Sequence, residues 1–270
     1  HHIISDAISM DIMVNDFMSL YEGKELETLR IQYKDYSEWQ KQLYTQDAIR
    51  RQEKYWIDKF VGEIPVLNIP LDYPRPLVQN FEGDSTHFEI DRELVAKLNS
   101  LSKENDATLY MVLLAAYNTL LYKYTGQEDI VVGSPIAGRQ NTELQNIIGM
   151  FVNTIAMRNY PNGGKTFNEL LKGVKENALA AYENQDYQFE ELVEKLDIKR
   201  DLSRNALFDT MFILQNVAMS EFEIEGLNIL PYKVEHDISK FDLSLNAQET
   251  EAGIYLAVEY CTKLFKKETI

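Results

Sequence analysis

Residues 109–136 read LYMVLLAAYNTLLYKYTGQEDIVVGSPI, and this stretch decides the class of the fold. Its first part, from Leu109 to Tyr124, repeats apolar residues near the helical period, which predicts a strongly apolar helix. Its last part, from Ile130 to Ile136, has the length and composition of a buried strand. A core helix followed by a core strand is typical of an α/β protein.

The segments around this stretch extend the pattern. Thr166 and Glu169 have the spacing of a capping box and start a predicted helix that runs to about Tyr182. The sequence also predicts a helix at 92–104 and strands at 86–90, 151–158, 207–214, 242–247 and 254–260. In 242–247, apolar and polar residues alternate, as in a strand with one solvated face. Because helices are mixed with hairpin-like strand pairs, we expect α/β layers with a mixed sheet.

The N-terminal quarter reads as helical, and a proline-rich stretch closes it. Apolar periodicity predicts one helix from Asp6 to Gly23 and a second helical stretch over 33–60. Four prolines then fall within twelve residues, and since proline removes an amide donor, we expect an extended linker. We therefore predict a first lobe at 1–64, a linker at 65–85 and a second lobe at 86–270.

Composition limits the classes of function. The 270 residues are 45% hydrophobic and carry a formal net charge of −16, which disfavours nonspecific nucleic-acid binding and an anionic membrane surface. The longest apolar run, Met111 to Tyr122, is interrupted by Asn118 and is shorter than the roughly 20 residues of a membrane helix. Cys261 is the single cysteine, so no internal disulfide can form, and we expect a cytoplasmic protein.

The chain opens HHIISDAIS: two imidazoles, an apolar pair and a carboxylate just before a helix. On the residues alone, His1 and His2 could be catalytic, could be the tail of an affinity tag, could contribute with Asp6 to a weak metal site, or could form a solvated terminus. A helix-capping role is open to Asp6, because a carboxylate there accepts orphan amide donors.

Taken together, the segments resemble the condensation domain of nonribosomal peptide synthetases, in the chloramphenicol acetyltransferase-like superfamily. His1 to Ala7 is similar to the family's HHxxxDG motif. Five more blocks follow in the family's order: 33–40 (YKDYSEWQ), 133–139 (GSPIAGR), 148–154 (IGMFVNT), 184–190 (NQDYQFE) and 200–208 (RDLSRNALF). The resemblance implies a two-lobed fold with mixed sheets, of which residues 1–64 are the C-terminal remnant of an incomplete first lobe.

The resemblance also implies a reaction. The amine of an acceptor aminoacyl thioester would attack the carbonyl of a donor thioester, both carried on phosphopantetheine arms of carrier domains, with an adenylation domain as neighbour and no metal or directly bound cofactor. His2 would lie in a tunnel between the lobes, as a general base or as a group that orients the amine or stabilises the oxyanion. His1 and Asp6 complete the implied catalytic motif, and Asp6 would pair with an arginine upstream of it.

Five further positions are implied at the tunnel: Ala7, Ser9, Gly149, Asn153 and Thr154. Ser9 could border the acceptor side or be another capping hydroxyl. Ala7 stands where the family has glycine, so a need for positive φ or for close approach of substrate would put activity in doubt.

The subtype and the alternative function rest on few residues. Ile8 and Ser9 favour the subtype that joins two L-residues, and Met10 argues mildly against an epimerisation domain. The resemblance places family sequence upstream of His1, so we expect the isolated 270 residues to be inactive. The alternative is a condensation-like domain without chemistry that serves as a docking scaffold for carrier or tailoring proteins, which Ala7 favours and His2 disfavours.

Overall fold

The computed structural model describes residues 1–198, 201–215 and 237–270. Within them lie seven α-helices: α1 Ala7–Tyr21, α2 Tyr33–Leu43, α3 Asp47–Lys59, α4 Arg92–Glu104, α5 Leu109–Thr125, α6 Phe167–Glu183 and α7 Phe189–Lys195. The strands are β1 Gly83–Asp91, β2 Ile130–Ile136, β3 Asn153–Asn159, β4 Thr210–Gln215, β5 Leu243–Thr250 and β6 Gly253–Cys261.

The strands form one mixed sheet in the order β1-β6-β5-β4-β2-β3. β2 runs parallel to β4 and β4 parallel to β5, whereas β3 joins β2, β6 joins β5 and β1 joins β6 antiparallel. The pairing between β2 and β4 is short, with Gly133 as the residue opposite Met211. The predicted α/β class with a mixed sheet is confirmed.

The core lies where α5 packs on β2, β4 and α6, and where α6 packs on the edge strand β3. Val112 and Leu114 of α5, Val132 of β2 and Phe212 of β4 are fully buried. The α5 helix begins at a Thr108 cap and ends at Gly126, whose φ of 69° is the left-handed conformation that favours glycine at a helix end. The stretch that predicts the fold class therefore forms its centre.

The helix α3 shares this core, although it precedes the predicted lobe boundary at 64. Ile49, Trp56 and Phe60 lie in the same hydrophobic cluster as β2, β3 and α6. The Trp56 indole donates to the Asn184 carbonyl at 2.7 Å. The division at 64 and 85 stays a prediction, and one continuous core crosses it.

Several predicted elements differ in extent, among them β1 (predicted at 86–90) and β5 (predicted at 242–247), which are each longer by three residues at one end. The helical stretch over 33–60 is two helices, because the chain turns at 44–46, where the Thr45 hydroxyl donates to the Gln42 carbonyl. The predicted strand at 151–158 begins at Asn153, and the one at 207–214 begins at Thr210.

Two of the polar residues expected on the solvated face of the strand predicted at 242–247 are buried instead, Asp242 just before β5 and Ser244 within it, whereas Asn246 is partly exposed. Ser244 is 3% exposed, and Asp242 is 4% exposed. Asp242 forms an ion pair with Arg75 of the proline-rich stretch. Since a buried carboxylate needs a partner, this pair fixes the linker to the end of the sheet.

Candidate active site

The carboxylate of Asp6 caps α1. Its backbone is extended, and its Oδ1 accepts the Ser9 amide at 2.7 Å, which satisfies one of the orphan donors of the helix start. The capping role is therefore confirmed, and it coexists with a second role.

That second role is a buried ion pair with Arg139. Nη2 of Arg139 lies 2.9 Å from Oδ1 of Asp6, and the two side chains are 3% and 1% exposed. The expectation of an arginine partner upstream of the motif is wrong for this chain. The partner lies 133 positions downstream, just after β2, in the block that ends with GR.

Arg139 is itself held by the chain that follows it. Its Nη1 donates to the carbonyls of Leu144 and Ile147 at 2.6 and 2.7 Å, and its guanidinium lies 4.1 Å from the ring centre of Phe151. A planar guanidinium suits this combination of carboxylate, carbonyls and aromatic face. Sequence reasoning assigned Arg139 no role, and the available signal was one arginine after a buried strand.

Hydrogen bonds keep Asp6 ionised. Burial raises the pKa of a carboxyl, but the Ser9 hydroxyl, the amides of Ser9 and Phe151 and the Arg139 guanidinium outweigh it, so the pKa of Asp6 is lowered from 3.8. The amide of Phe151 donates to Oδ2 at 3.1 Å. Asp6 therefore anchors the N-terminal loop to the β2–β3 connection as an anion.

Ser9 lies at the centre of the same contacts and is 1% exposed. Its Oγ is 2.6 Å from Oδ1 of Asp6, 2.8 Å from Nη2 of Arg139, and 2.8 and 3.0 Å from the carbonyl and amide of Gly149. The Ser9 hydroxyl is therefore bonded to Asp6, Arg139 and Gly149 and does not act as a simple helix cap, while its place at the acceptor side of the tunnel stays a prediction.

Gly149 is a glycine because an aromatic ring covers it. A Cβ at this position would lie 2.1 Å from Cδ2 of Tyr33. The Tyr33 hydroxyl donates to the Met150 carbonyl at 2.8 Å, and its ring meets Phe151 edge to face. Tyr33, to which the sequence pattern gives no role beyond the block 33–40, thus joins α2 to the same connection.

Asn153 and Thr154 take no part in the hydrogen bonds that join Asp6, Ser9 and Arg139. Asn153 is 5% exposed, its amide group donates to the Gln185 and Tyr187 carbonyls, and its Oδ1 accepts the Phe189 amide. Its polar atoms are engaged by the α6–α7 turn. Thr154 lines a separate cavity of about 1030 Å³ between the linker, α7 and the segment 201–209.

Ala7 is the first residue of α1, and its side chain is exposed. In the described part of the chain, positive φ outside glycine occurs at Asp106 and Asp197, and not at Ala7. The concern that Ala7 occupies a conformation reserved for glycine is therefore wrong. A close approach of substrate at this position stays an expectation.

The two histidines are exposed on the turn before Asp6. The Nδ1 atom of one ring donates a hydrogen bond, and the Nδ1 atom of the other accepts one. Nδ1 of His2 lies 2.8 Å from the Ser5 carbonyl, an acceptor, so Nδ1 must carry the proton. Nδ1 of His1 lies 3.2 Å from the Ile3 amide, a donor, so that nitrogen carries none. Nε2 of a neutral His2 therefore bears a lone pair.

Two further blocks of the resemblance contain observed polar or aromatic contacts. Arg204 forms an ion pair with Asp209, and the Asp201 carboxylate accepts from the amide and hydroxyl of Ser203. Trp56 is buried, whereas Trp39 in the block 33–40 is 49% exposed. Arg200 of the last block lies outside the described residues.

A model of the condensation domain family matches residues 1–270. The chain belongs to the condensation domain family. It is 58% identical over its whole length to part of bacitracin synthase 3 of Bacillus licheniformis, and 54% identical to part of tyrocidine synthase 3 of Brevibacillus parabrevis. It spans only 4% of each of these two synthases.

Solved structures agree on the fold. The X-domain from teicoplanin biosynthesis matches this condensation chain at a TM-score of 0.88 and 24% identity, over 100% of this chain and 64% of that one. The four-domain nonribosomal peptide synthetase holo-AB3403, bound to AMP and glycine, matches at 0.87 and 26%, over 100% of this chain and 22% of that one. The fold is the chloramphenicol acetyltransferase-like fold of condensation domain structures.

Among the described residues, no helix is both long and apolar enough to cross a membrane. No three histidine, cysteine, aspartate or glutamate side chains are grouped there as metal ligands would be.

Proposed function

We propose that this chain carries the catalytic histidine of a peptide-forming condensation domain. The acceptor is an aminoacyl thioester and the donor an acyl or peptidyl thioester, each on the phosphopantetheine arm of a carrier domain. The acceptor amine forms a C–N bond with the donor carbonyl, the C–S bond breaks, and the proton lost by nitrogen goes to the departing thiolate. An adenylation domain is the proposed neighbour, and the cytoplasm the proposed location.

The observation that carries this proposal is the hydrogen bond from Nδ1 of His2 to the Ser5 carbonyl. It selects the tautomer that leaves Nε2 free to accept a proton from an amine, or to orient the amine through its lone pair. Both roles use the same atom. His2 is exposed, so a substrate can reach it.

His1 and Asp6 contribute by holding the conformation of the loop that carries His2. Because the Ile3 amide donates to His1, that ring supports the turn on which His2 lies. Asp6 is buried behind α1 and bonded to Arg139, so it positions the loop without touching substrate.

The test follows dipeptide release from two loaded carrier domains in the full-length protein. We expect His2→Ala to lower kcat by about 10²–10⁴-fold, which is the usual value of general acid–base help. The control is His87→Ala, since His87 is exposed on β1 and stacks on Tyr255. Equal rates for His2→Ala and the unaltered protein would overturn the proposal.

Two finer proposals use the same assay. With D- and L-configured donors compared, faster release from the L-donor supports the subtype that joins two L-residues. The inactivity of the isolated 270 residues also stays a prediction, and amide formation by that chain alone would contradict it.

A second candidate function is a docking scaffold without chemistry. One solved relative of this fold is a complex of the X-domain with OxyB from teicoplanin biosynthesis, at a TM-score of 0.88 and 24% identity. Ala7→Gly separates the candidates. If only the Ala7→Gly variant condenses, the native domain is a scaffold; if the native protein condenses, Ala7 is tolerated.

A further inference from the structure

The hydroxyl of Ser9 is saturated by the protein. A serine hydroxyl has one proton to donate and two lone pairs to accept with. The Gly149 amide and Nη2 of Arg139 occupy the lone pairs, and the proton has two acceptors, Oδ1 of Asp6 and the Gly149 carbonyl. No capacity is left for a substrate, so a contribution of Ser9 to a reaction must be indirect.

The contacts of Ser9 join two segments that are far apart in sequence. One is the start of α1, which follows the loop of His2, and the other is the β2–β3 connection, 140 positions away. Asp6 and Arg139 fix the ends of these segments by charge. Among the residues that the structure describes, Ser9 is the one whose side chain bonds both the amide and the carbonyl of Gly149, so it sets the position of the connection along α1.

We propose that Ser9 is a positioning residue that fixes the His2 loop against the β2–β3 connection. The proposal rests on the proposed function, because its readout is condensation. Without the hydroxyl, two buried backbone groups of Gly149 lose a partner, while the Asp6–Arg139 ion pair still holds the fold. The loop then shifts relative to the connection, and a misplacement of about 1 Å can cost roughly 10²-fold in rate.

The experiment compares Ser9→Ala, Ser9→Cys and Ser9→Thr in the full-length protein, with Ser100→Ala as the control. Ser100 is exposed on α4 and bonds only the Ala96 carbonyl of its own helix among the described residues. We expect kcat to fall about 10–100-fold for Ala and Cys, with KM for both thioesters within about twofold. Thr keeps the hydroxyl, and we expect it to recover most of kcat.

Each outcome decides one statement. If Ser9→Ala is folded and keeps the native kcat, the proposal is overturned; if Ser9→Ala fails to fold, native kcat in Ser9→Cys overturns it equally. A loss of rate that only follows the fraction of folded protein, measured by thermal unfolding, also overturns it. A parallel His2→Ala variant separates the two proposals, since an undiminished rate there refutes the proposed function itself.

Discussion

At the scale of single residues, the site depends on how a buried charge is compensated. Removing Asp6 and Arg139 from water is costly, and the cost is recovered only because further donors and acceptors surround the pair. Asp6 receives two backbone amides and a hydroxyl, and Arg139 reaches two carbonyls. Its Nε has no partner among the described residues. The pair therefore specifies one position of the loop rather than adding much net stability.

Asp6→Asn tests this compensation. The variant leaves Arg139 charged and buried, so we expect the free energy of unfolding at pH 7 to fall by about 3–5 kcal/mol. Because the folded pKa of Asp6 is lowered from 3.8, the unfolded chain takes up the proton first as the pH falls. The stabilisation is complete well above pH 3.8 and is lost below it, so the difference between the two proteins should narrow in acid.

Urea unfolding between pH 7 and pH 3 measures this difference. Asp47→Asn is the matched control, since the Asp47 side chain is 95% exposed and we expect a change within about 0.5 kcal/mol. A difference that stays constant down to pH 3 would contradict the assignment of Asp6 as a stabilised anion.

Gly149→Ala tests the packing beside the pair. The new Cβ would meet the Tyr33 ring at 2.1 Å, so we expect a loss of about 1–3 kcal/mol from overpacking. Gly173→Ala is the opposite case, because Gly173 lies within α6 with no atom within 4 Å of its added Cβ. There we expect a gain of about 0.5–1 kcal/mol. Thermal unfolding of both variants measures the contrast, and equal signs would refute it.

At the scale of elements, the sequence predicts what is determined locally. The capping box of Thr166 and Glu169 marks the start of α6, because both partners lie within one turn. The start of β3 is not predictable in this way. Phe151 is an aromatic residue of the kind that is common in strands. Its amide donates to Asp6 and its ring packs on Tyr33, however, so Phe151 belongs to the β2–β3 connection.

The α6–α7 turn shows the same limit, since a distant helix holds it. Oε1 of Gln52 in α3 accepts the amides of Asp186 and Tyr187 at 3.0 and 3.1 Å, and its Nε2 donates to Asp186. The block at 184–190 gives no indication that its partner is a glutamine 134 positions earlier. Sequence reasoning predicts the elements of this site but not the contacts between them.

Gln52→Ala should loosen this turn. Two amides lose their acceptor, so we expect the free energy of unfolding to fall by about 1–3 kcal/mol and the amides of Asp186 and Tyr187 to exchange hydrogen faster. Gln42→Ala, at an exposed position of α2, is the control. Unchanged exchange at both amides would show that other contacts of the turn, such as Tyr44 to the Gln188 amide, suffice.

At the scale of the whole molecule, the site joins parts of the chain that sequence reasoning assigned to different lobes. The ion pair of Asp6 with Arg139 and the bond of Gln52 with Asp186 each cross the predicted boundary, and so does the buried core around Trp56. Composition and prolines mark where the chain is extended, but they do not report which surfaces pack. A proline-rich stretch can therefore run along a continuous core.

The continuous core predicts a single cooperative unfolding transition. Trp39→Phe leaves Trp56 as the sole tryptophan of the chain, at 2% exposure in α3, so its fluorescence reports the part before the boundary. Far-UV circular dichroism reports all helices and the sheet. Because α3 buries Trp56 against the same cluster as β2 and β3, we expect the two signals to share one midpoint in urea. If Trp56 became exposed at a lower urea concentration than the loss of secondary structure, the helices before residue 64 would unfold as a separate lobe, and the core contacts of α3 would be too weak to couple them to the sheet.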